Sequence, residues 1–190
     1  LSRRQRQMCI RDRYTDAITG LGSAFANLFA PIGSSEVTKG VGGTEGNNEP
    51  TGEFYSSYSD GDLRQNVSIG KLSDGRIYCK KFVKAPVLAN QSDANFIVLR
   101  YTDVLLMYAE ALNEISFSTS GEAFKYLNDV RQRAGLQEYT AQEINSQDTF
   151  RDAILKERRY EFAFENQRWF DLLRTGKAVE VMNASAKGEF

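Results

Sequence analysis

The 190-residue chain contains no histidine. That absence removes the Ser–His–Asp triad, the Cys–His pair and every histidine-bearing zinc or di-iron site. Cysteine is scarce as well, and two residues cannot complete a zinc site. The longest apolar run in a helical candidate, Val104–Ala109, is six residues, against the roughly 18 a membrane helix needs. Excess charge of one sign is also missing. Lys and Arg number 24 against 25 Asp and Glu, so nothing points to nucleic acid or an anionic membrane as a partner. There is no GK[ST] phosphate loop, and Gly20-Leu-Gly22 lacks the third glycine and the strand–helix context of a dinucleotide fingerprint. Asp60 and Asp62 are not followed by the loop and closing glutamate of a calcium site. What is present is ordinary for one globular domain: 41% hydrophobic and 26% charged residues. A chain this long buries roughly 70% of its unfolded surface without staples.

Residues 1–13, LSRRQRQMCIRDR, carry five Arg and one Asp and lack the apolar stretch of a signal peptide. Beyond them 19 Lys and Arg face 24 Asp and Glu, a net −5. The string QMCIRDR resembles the translated read-through of a sequencing-library adapter. The alternative is a basic arm for an anionic partner. We read 1–13 as a non-native or disordered arm that packs against nothing, because it has no apolar periodicity to offset the entropy of ordering it. Cys79 is then a lone thiol, and cysteine usage fixes no redox compartment.

Composition changes near Asn95. Eleven of the fifteen glycines and all three prolines precede it. Residues 14–94 therefore read as loops and short strands, the ligand-side segment, because stretches such as 40–50 cannot sustain a helix. A hairpin is expected around Asp74-Gly75. Tyr55 and Tyr58 lie in a Ser- and Asp-rich stretch, either as exposed aromatics or on a strand edge.

From residue 95 to 190 the period is helical. Tyr101, Leu105, Tyr108, Leu112 and Ile115 form one stripe. A second helix is expected from the capping-box spacing Thr119–Glu122, with Phe124, Leu127, Val130 or Arg131, and Ala134 inward and Gly135 as its stop. A third spans about 148–165, and a short fourth, 167–174, ends at Thr175-Gly176. Trp169 beside Leu172 and Leu173 reads as core rather than as a sugar platform. On the third helix Phe150, Ile154, Glu157, Glu161 and Phe164 share a face. Paired carboxylates invite a glycosidase reading. A catalytic acid, however, needs a raised pKa, and neighbouring guanidinium groups lower it. The expectation is structural: Glu157 and Glu161 buried and paired with arginines drawn from Arg100, Arg131, Arg133 and Arg168.

Three segments carry a resemblance. Asn95–Glu114 (NFIVLRYTDVLLMYAEALNE), Asn128–Leu136 (NDVRQRAGL) and Glu157–Arg174 (ERRYEFAFENQRWFDLLR) resemble the C-terminal helices and signature of SusD/RagB-type nutrient-binding lipoproteins. Pro50–Arg64 is a weaker match, ending in Asp-x-Arg. The resemblance implies a mainly α fold of tetratricopeptide-like helical hairpins, with the irregular 14–94 segment carrying glycan-binding loops. It implies a fragment of the family's C-terminal half, truncated at both ends. It implies no catalysis and no cofactor. The partners implied are an oligosaccharide or polysaccharide and a SusC-like TonB-dependent transporter at the outer-membrane surface, with the membrane reached only through a lipid anchor. Ligand contacts are expected from Phe29, Asn47, Asn48, Tyr55, Tyr58 and Arg64, because sugars are gripped by aromatic faces and by Asn and Arg hydrogen bonds on pre-formed loops. The competing reading is a helical-repeat adaptor that binds protein in the concave groove of its helices.

Overall fold

The structure is a computed structural model and describes residues 9–11 and 20–187. The described residues fall into two compact units. One holds residues 59–64 and 100–187, the other 9–11, 20–58 and 65–99.

The first unit is a stack of helices: α4 (Tyr101–Ile115), α5 (Glu122–Arg133), α6 (Gln147–Glu161), α7 (Arg168–Arg174) and α8 (Ala178–Lys187). α4 packs on both α5 and α6. Its core holds Leu106, Ala109, Phe124, Leu127, Val130, Ile144, Phe150, Ile154 and Phe162. The α5 stripe expected from sequence is the buried one, Ala134 included, with Val130 rather than Arg131 as its third member, and Gly135 stops the helix at φ +80°. Its cap differs from expectation: Gly121 is the N-cap and no side chain closes the turn. The capping box lies instead at Ser146 and Thr149, opening α6. α6 ends at Glu161, earlier than expected, and Phe164 and Asn166 beyond it take positive φ.

The inner face of α4 corrects the expected stripe by one position. Thr102, Asp103, Leu106, Ala109 and Asn113 are buried. Tyr108 and Ile115 are exposed. The segment is apolar on several sides, so hydrophobicity does not select the face. Of the inward polar side chains, Thr102 accepts from Arg133 and Asp103 from Arg158, while Asn113 Nδ2 donates to the Gln147 carbonyl and its Oδ1 has no partner among the described residues. Trp169 corrects the core expectation too, being 48% exposed beside buried Leu172. α8 carries no sequence expectation and buries no residue.

The second unit contains α1 (Phe25–Phe29), α2 (Gly52–Ser56), α3 (Leu63–Ser68, whose first two residues belong to the helical unit), β1 (Cys9–Arg11), β2 (Ile69–Lys71), β3 (Ile77–Cys79) and β4 (Ile97–Arg100, whose last residue belongs to the helical unit). The expected hairpin forms: β2 and β3 pair antiparallel with Gly70 opposite Tyr78, and Gly75 turns at φ +92°. The short helices were not expected, since five or six residues show too little periodicity to read. β1 pairs with β4. For Cys9–Arg11 the expectation of an arm that packs against nothing is therefore corrected: these residues pair with β4 as a strand. The remainder of 1–13 lies outside the described residues. Cys79 is fully buried, and burial pushes its thiol up to about 11. Among the described residues no helix is long and apolar enough to cross a membrane.

Candidate functional site

The second unit holds a cavity of about 490 Å3, lined by Glu49, Pro50, Gly52, Tyr55, Ser56, Lys71, Gly75, Arg76 and Ile77. Three pieces of backbone build it: residues 49–50, α2 and the β2–β3 hairpin. α2 supplies Tyr55, and Thr51 caps that helix by accepting from the Phe54 N–H at 3.1 Å. The Gln65 amide donates to the Tyr55 carbonyl at 2.7 Å, tying α2 to α3. The β2–β3 hairpin supplies Lys71, Ile77 and the turn. There Arg76 Nε donates to Asp74 Oδ2 at 2.8 Å and Nη1 to the Ile32 carbonyl at 2.7 Å, so the guanidinium is fixed in place. The Arg76 side chain holds the Asp74 carboxyl below its usual range. Gly52 and Gly75 leave room, since a Cβ on either would meet nothing within 4 Å.

The cavity thus combines one aromatic face, an ammonium, a fixed guanidinium and a carboxylate, Glu49. An uncharged ring with several hydroxyls suits that set: the cations donate, the carboxylate accepts and the aromatic ring covers an apolar face. Among the described residues no group of His, Cys, Asp and Glu is arranged to hold a metal ion.

Of the expected ligand residues, the cavity takes in Tyr55 alone. Asn47 and Asn48 are exposed on the strand of chain leading to Glu49. Asn47 donates to Glu45, and Asn48 takes φ +56°. The remaining three differ from expectation. Tyr58, one helical turn on from Tyr55, points inward at 7% exposure and packs edge-on to Phe54. Phe29 joins Phe25 and Phe82 in an aromatic cluster, with centroids 5.4 and 6.3 Å away; rings of that size gain more from mutual burial than from solvent. Arg64 belongs to the ion-pair cluster of the helical unit. Lys71, Arg76 and Glu49 were missed, although the hairpin signal at Asp74-Gly75 pointed to the turn that carries two of them.

In that cluster Arg64 forks onto Asp62 (Nε–Oδ1 2.9 Å, Nη2–Oδ2 2.7 Å) and reaches Glu157 Oε1 at 2.5 Å. Arg131 Nη1 donates to Glu157 Oε2 at 3.3 Å, its guanidinium lying 3.7 Å from the Tyr139 ring centre. Glu161 accepts from Arg100 at 2.6 Å and Arg133 at 2.5 Å, and Arg100 also donates to Glu165. Burial would raise the Glu161 carboxyl, but Arg100 and Arg133 overcome it and hold it at about 2. Arg168, expected as a partner, donates instead to the Leu155 carbonyl at 3.3 Å. It sits at the start of α7, where its reach is to the backbone of α6. A second chain of charges runs from Asp103 through buried Arg158 to Asp171 and Arg174.

Another cavity, of about 410 Å3, lies on the helices between Glu110, Asp152, Arg174 and Lys177. Its charges are largely matched from within, by Arg151 with Glu114 and Arg174 with Glu110.

The helical unit is thus a set of packed hairpins pinned by buried ion pairs, and the loop-rich unit holds a polar cavity with an aromatic wall. The chain belongs to the SusD family, whose model (SusD/RagB) matches residues 12–189. It is 36% identical over 141 residues to SusD-like protein P38 of Formosa agariphila, covering 71% of this chain and 28% of that protein. To SusD-like protein P2 of the same organism it is 44% identical over 119 residues, covering 58% and 23%. Among solved structures it is similar to surface glycan-binding protein A from Bacteroides thetaiotaomicron, with a TM-score of 0.76 and 25% identity over 92% of this chain and 44% of that one. That protein is also solved in complex with laminarihexaose. The chain therefore spans less than a third of these curated relatives and less than half of this solved one.

Proposed function

We propose that this chain binds glycan as part of a cell-surface nutrient-uptake protein, and that the protein passes oligosaccharide to a SusC-like TonB-dependent transporter in the outer membrane. The observation that carries the reading is the Tyr55 cavity, an aromatic wall with donors and an acceptor in a loop-rich unit. The glycan-bound relative supports it. The 14–94 segment is the ligand side and the helices from residue 95 are the frame. Binding, not hydrolysis, suits the carboxylate pair: Glu161 is charged at any working pH, and Glu157 is buried against two arginines. Neither is placed to act as a general acid.

Calorimetry against a panel of glycans including laminarihexaose tests this reading. A glycan should bind, and Tyr55→Ala should lower its affinity at least tenfold while leaving the melting temperature within a few degrees. Failure of every glycan, with retained affinity for a peptide, would replace this reading by the adaptor one. The helical cavity is the place for such a peptide, but its internally matched charges argue against it.

A further inference from the structure

We infer that Asn27, which does not reach the cavity, is a positioning residue that sets one of its walls. The inference rests on the glycan-binding reading of that cavity. The wall in question is the end of the loop running from Val41 to Glu49. This loop has no helix or strand of its own, and Gly42, Gly46 and Asn48 all take positive φ. Its shape must therefore be imposed from outside.

Asn27 imposes it. The side chain is 2% exposed and every polar atom is used. Nδ2 donates to the Val41 and Gly43 carbonyls, both at 2.8 Å, and Oδ1 accepts from the Asn90 N–H at 3.0 Å. Two donors and one acceptor in that geometry are what an asparagine offers and an aspartate or a leucine does not. The backbone continues the clasp. Helix α1 ends here, and its last carbonyls lack helical partners. The loop supplies them: Glu45 N donates to Asn27 O at 3.0 Å, Gly46 N to Ala30 O at 2.9 Å and Asn47 N to Leu28 O at 2.7 Å. Thr44 Oγ1 adds a bond to the Pro31 carbonyl at 2.9 Å. The approach at Gly42 is so close that a Cβ there would sit 2.8 Å from Asn27 Nδ2. Two residues beyond the last clasp the chain reaches Glu49 and Pro50 on the cavity wall. A wall held before the ligand arrives spares the cost of ordering it on binding.

The test combines residue-resolved hydrogen exchange with calorimetry against laminarihexaose. In Asn27→Ala, amides 45–47 should exchange at least tenfold faster while α4–α6 are unchanged, and affinity should fall at least tenfold. Asn27→Asp separates positioning from general packing. It keeps the acceptor for Asn90 but sets an oxygen against the Val41 and Gly43 carbonyls. Amides 45–47 should therefore loosen while residue 90 stays protected. Should Asn27→Ala not fold, Thr44→Val carries the test, with smaller changes in the same direction. Unchanged exchange at 45–47, or a loosened loop with affinity intact, overturns the inference. If the wild-type chain takes up no glycan, the glycan reading fails by itself, and the exchange pattern alone decides whether Asn27 holds the loop.

Discussion

In the helical unit most of the deeply buried polar groups are ions, with Asn113 the neutral exception. Glu157, Glu161, Arg158 and Asp171 are buried, and the two glutamates receive arginines from three other stretches of chain, at residues 64, 100 and 131–133. In the loop-rich unit the innermost polar groups are neutral. Asn27 is saturated by backbone, and Ser23 and Ser92 bridge backbone to backbone. The ion pair there between Asp74 and Arg76 lies at the surface, where such pairs contribute little. The difference teaches that one half of the molecule depends on protonation state and the other on backbone geometry. A scaffold held by ions has a fixed register, because a guanidinium fork fits one carboxylate orientation. A site held by amides and glycines keeps its loops free of any net charge requirement.

The sharpest way to break that contrast is to remove one ion. Glu157→Ala leaves Arg64 and Arg131 facing an empty, buried position, and should cost about 3–5 kcal/mol in urea denaturation. Acid offers a milder route. The Glu161 carboxyl is held at about 2 in the folded chain against 4.5 in its ordinary state. A depressed folded value means its stabilisation is complete above pH 4.5 and is lost as pH falls towards 2. At 1.36 kcal/mol per unit that loss is about 3 kcal/mol. Hydrogen exchange between pH 5 and 2.5 should show α4–α6 losing protection while the Ser23–Ser92 bridge keeps its own; equal loss in both units would erase the contrast. On the other side, Gly22→Ala places a Cβ 2.6 Å from the Gln91 Cα and 2.9 Å from the Ser92 N. Backbone cannot swing aside as a side chain can, so the expected cost is about 1–3 kcal/mol by thermal melting, with the acid response of the helices unchanged. The smallest effect is Thr51→Ala. It uncaps the helix that presents Tyr55, should cost about 1 kcal/mol, and should show first as faster exchange of the Phe54 amide.

These contrasts also explain which features could be read from residues alone. α5 was legible because its apolar positions, Phe124, Leu127 and Val130, leave only one face to bury. α4 was legible as a helix but not in its orientation. Leu105 and Leu106 are equally apolar, and the choice between them was made by Asp103, whose partner Arg158 lies 55 residues away. Arg64 is a similar case: it reads as a loop cation until Glu157, 93 residues on, is brought to it. Within the candidate site, Tyr55 and Tyr58 are indistinguishable by type. A three-residue step places one on the cavity wall and buries the other. The cations of the hairpin carry no signal of their own, since only the β2–β3 register places Lys71 opposite Ile77.

Cys79 gives the loop-rich unit a built-in clock. Its sulfur is fully buried on β3 and its thiol is pushed up to about 11, so at neutral pH almost none is present as the reactive thiolate. An alkylating reagent must therefore wait for the chain around Cys79 to open. With Cys9 replaced by serine, the rate of labelling at saturating reagent becomes the rate at which the chain around β3 opens, close in sequence to Lys71 and Arg76. Any glycan seated between them would slow that rate in proportion to its occupancy.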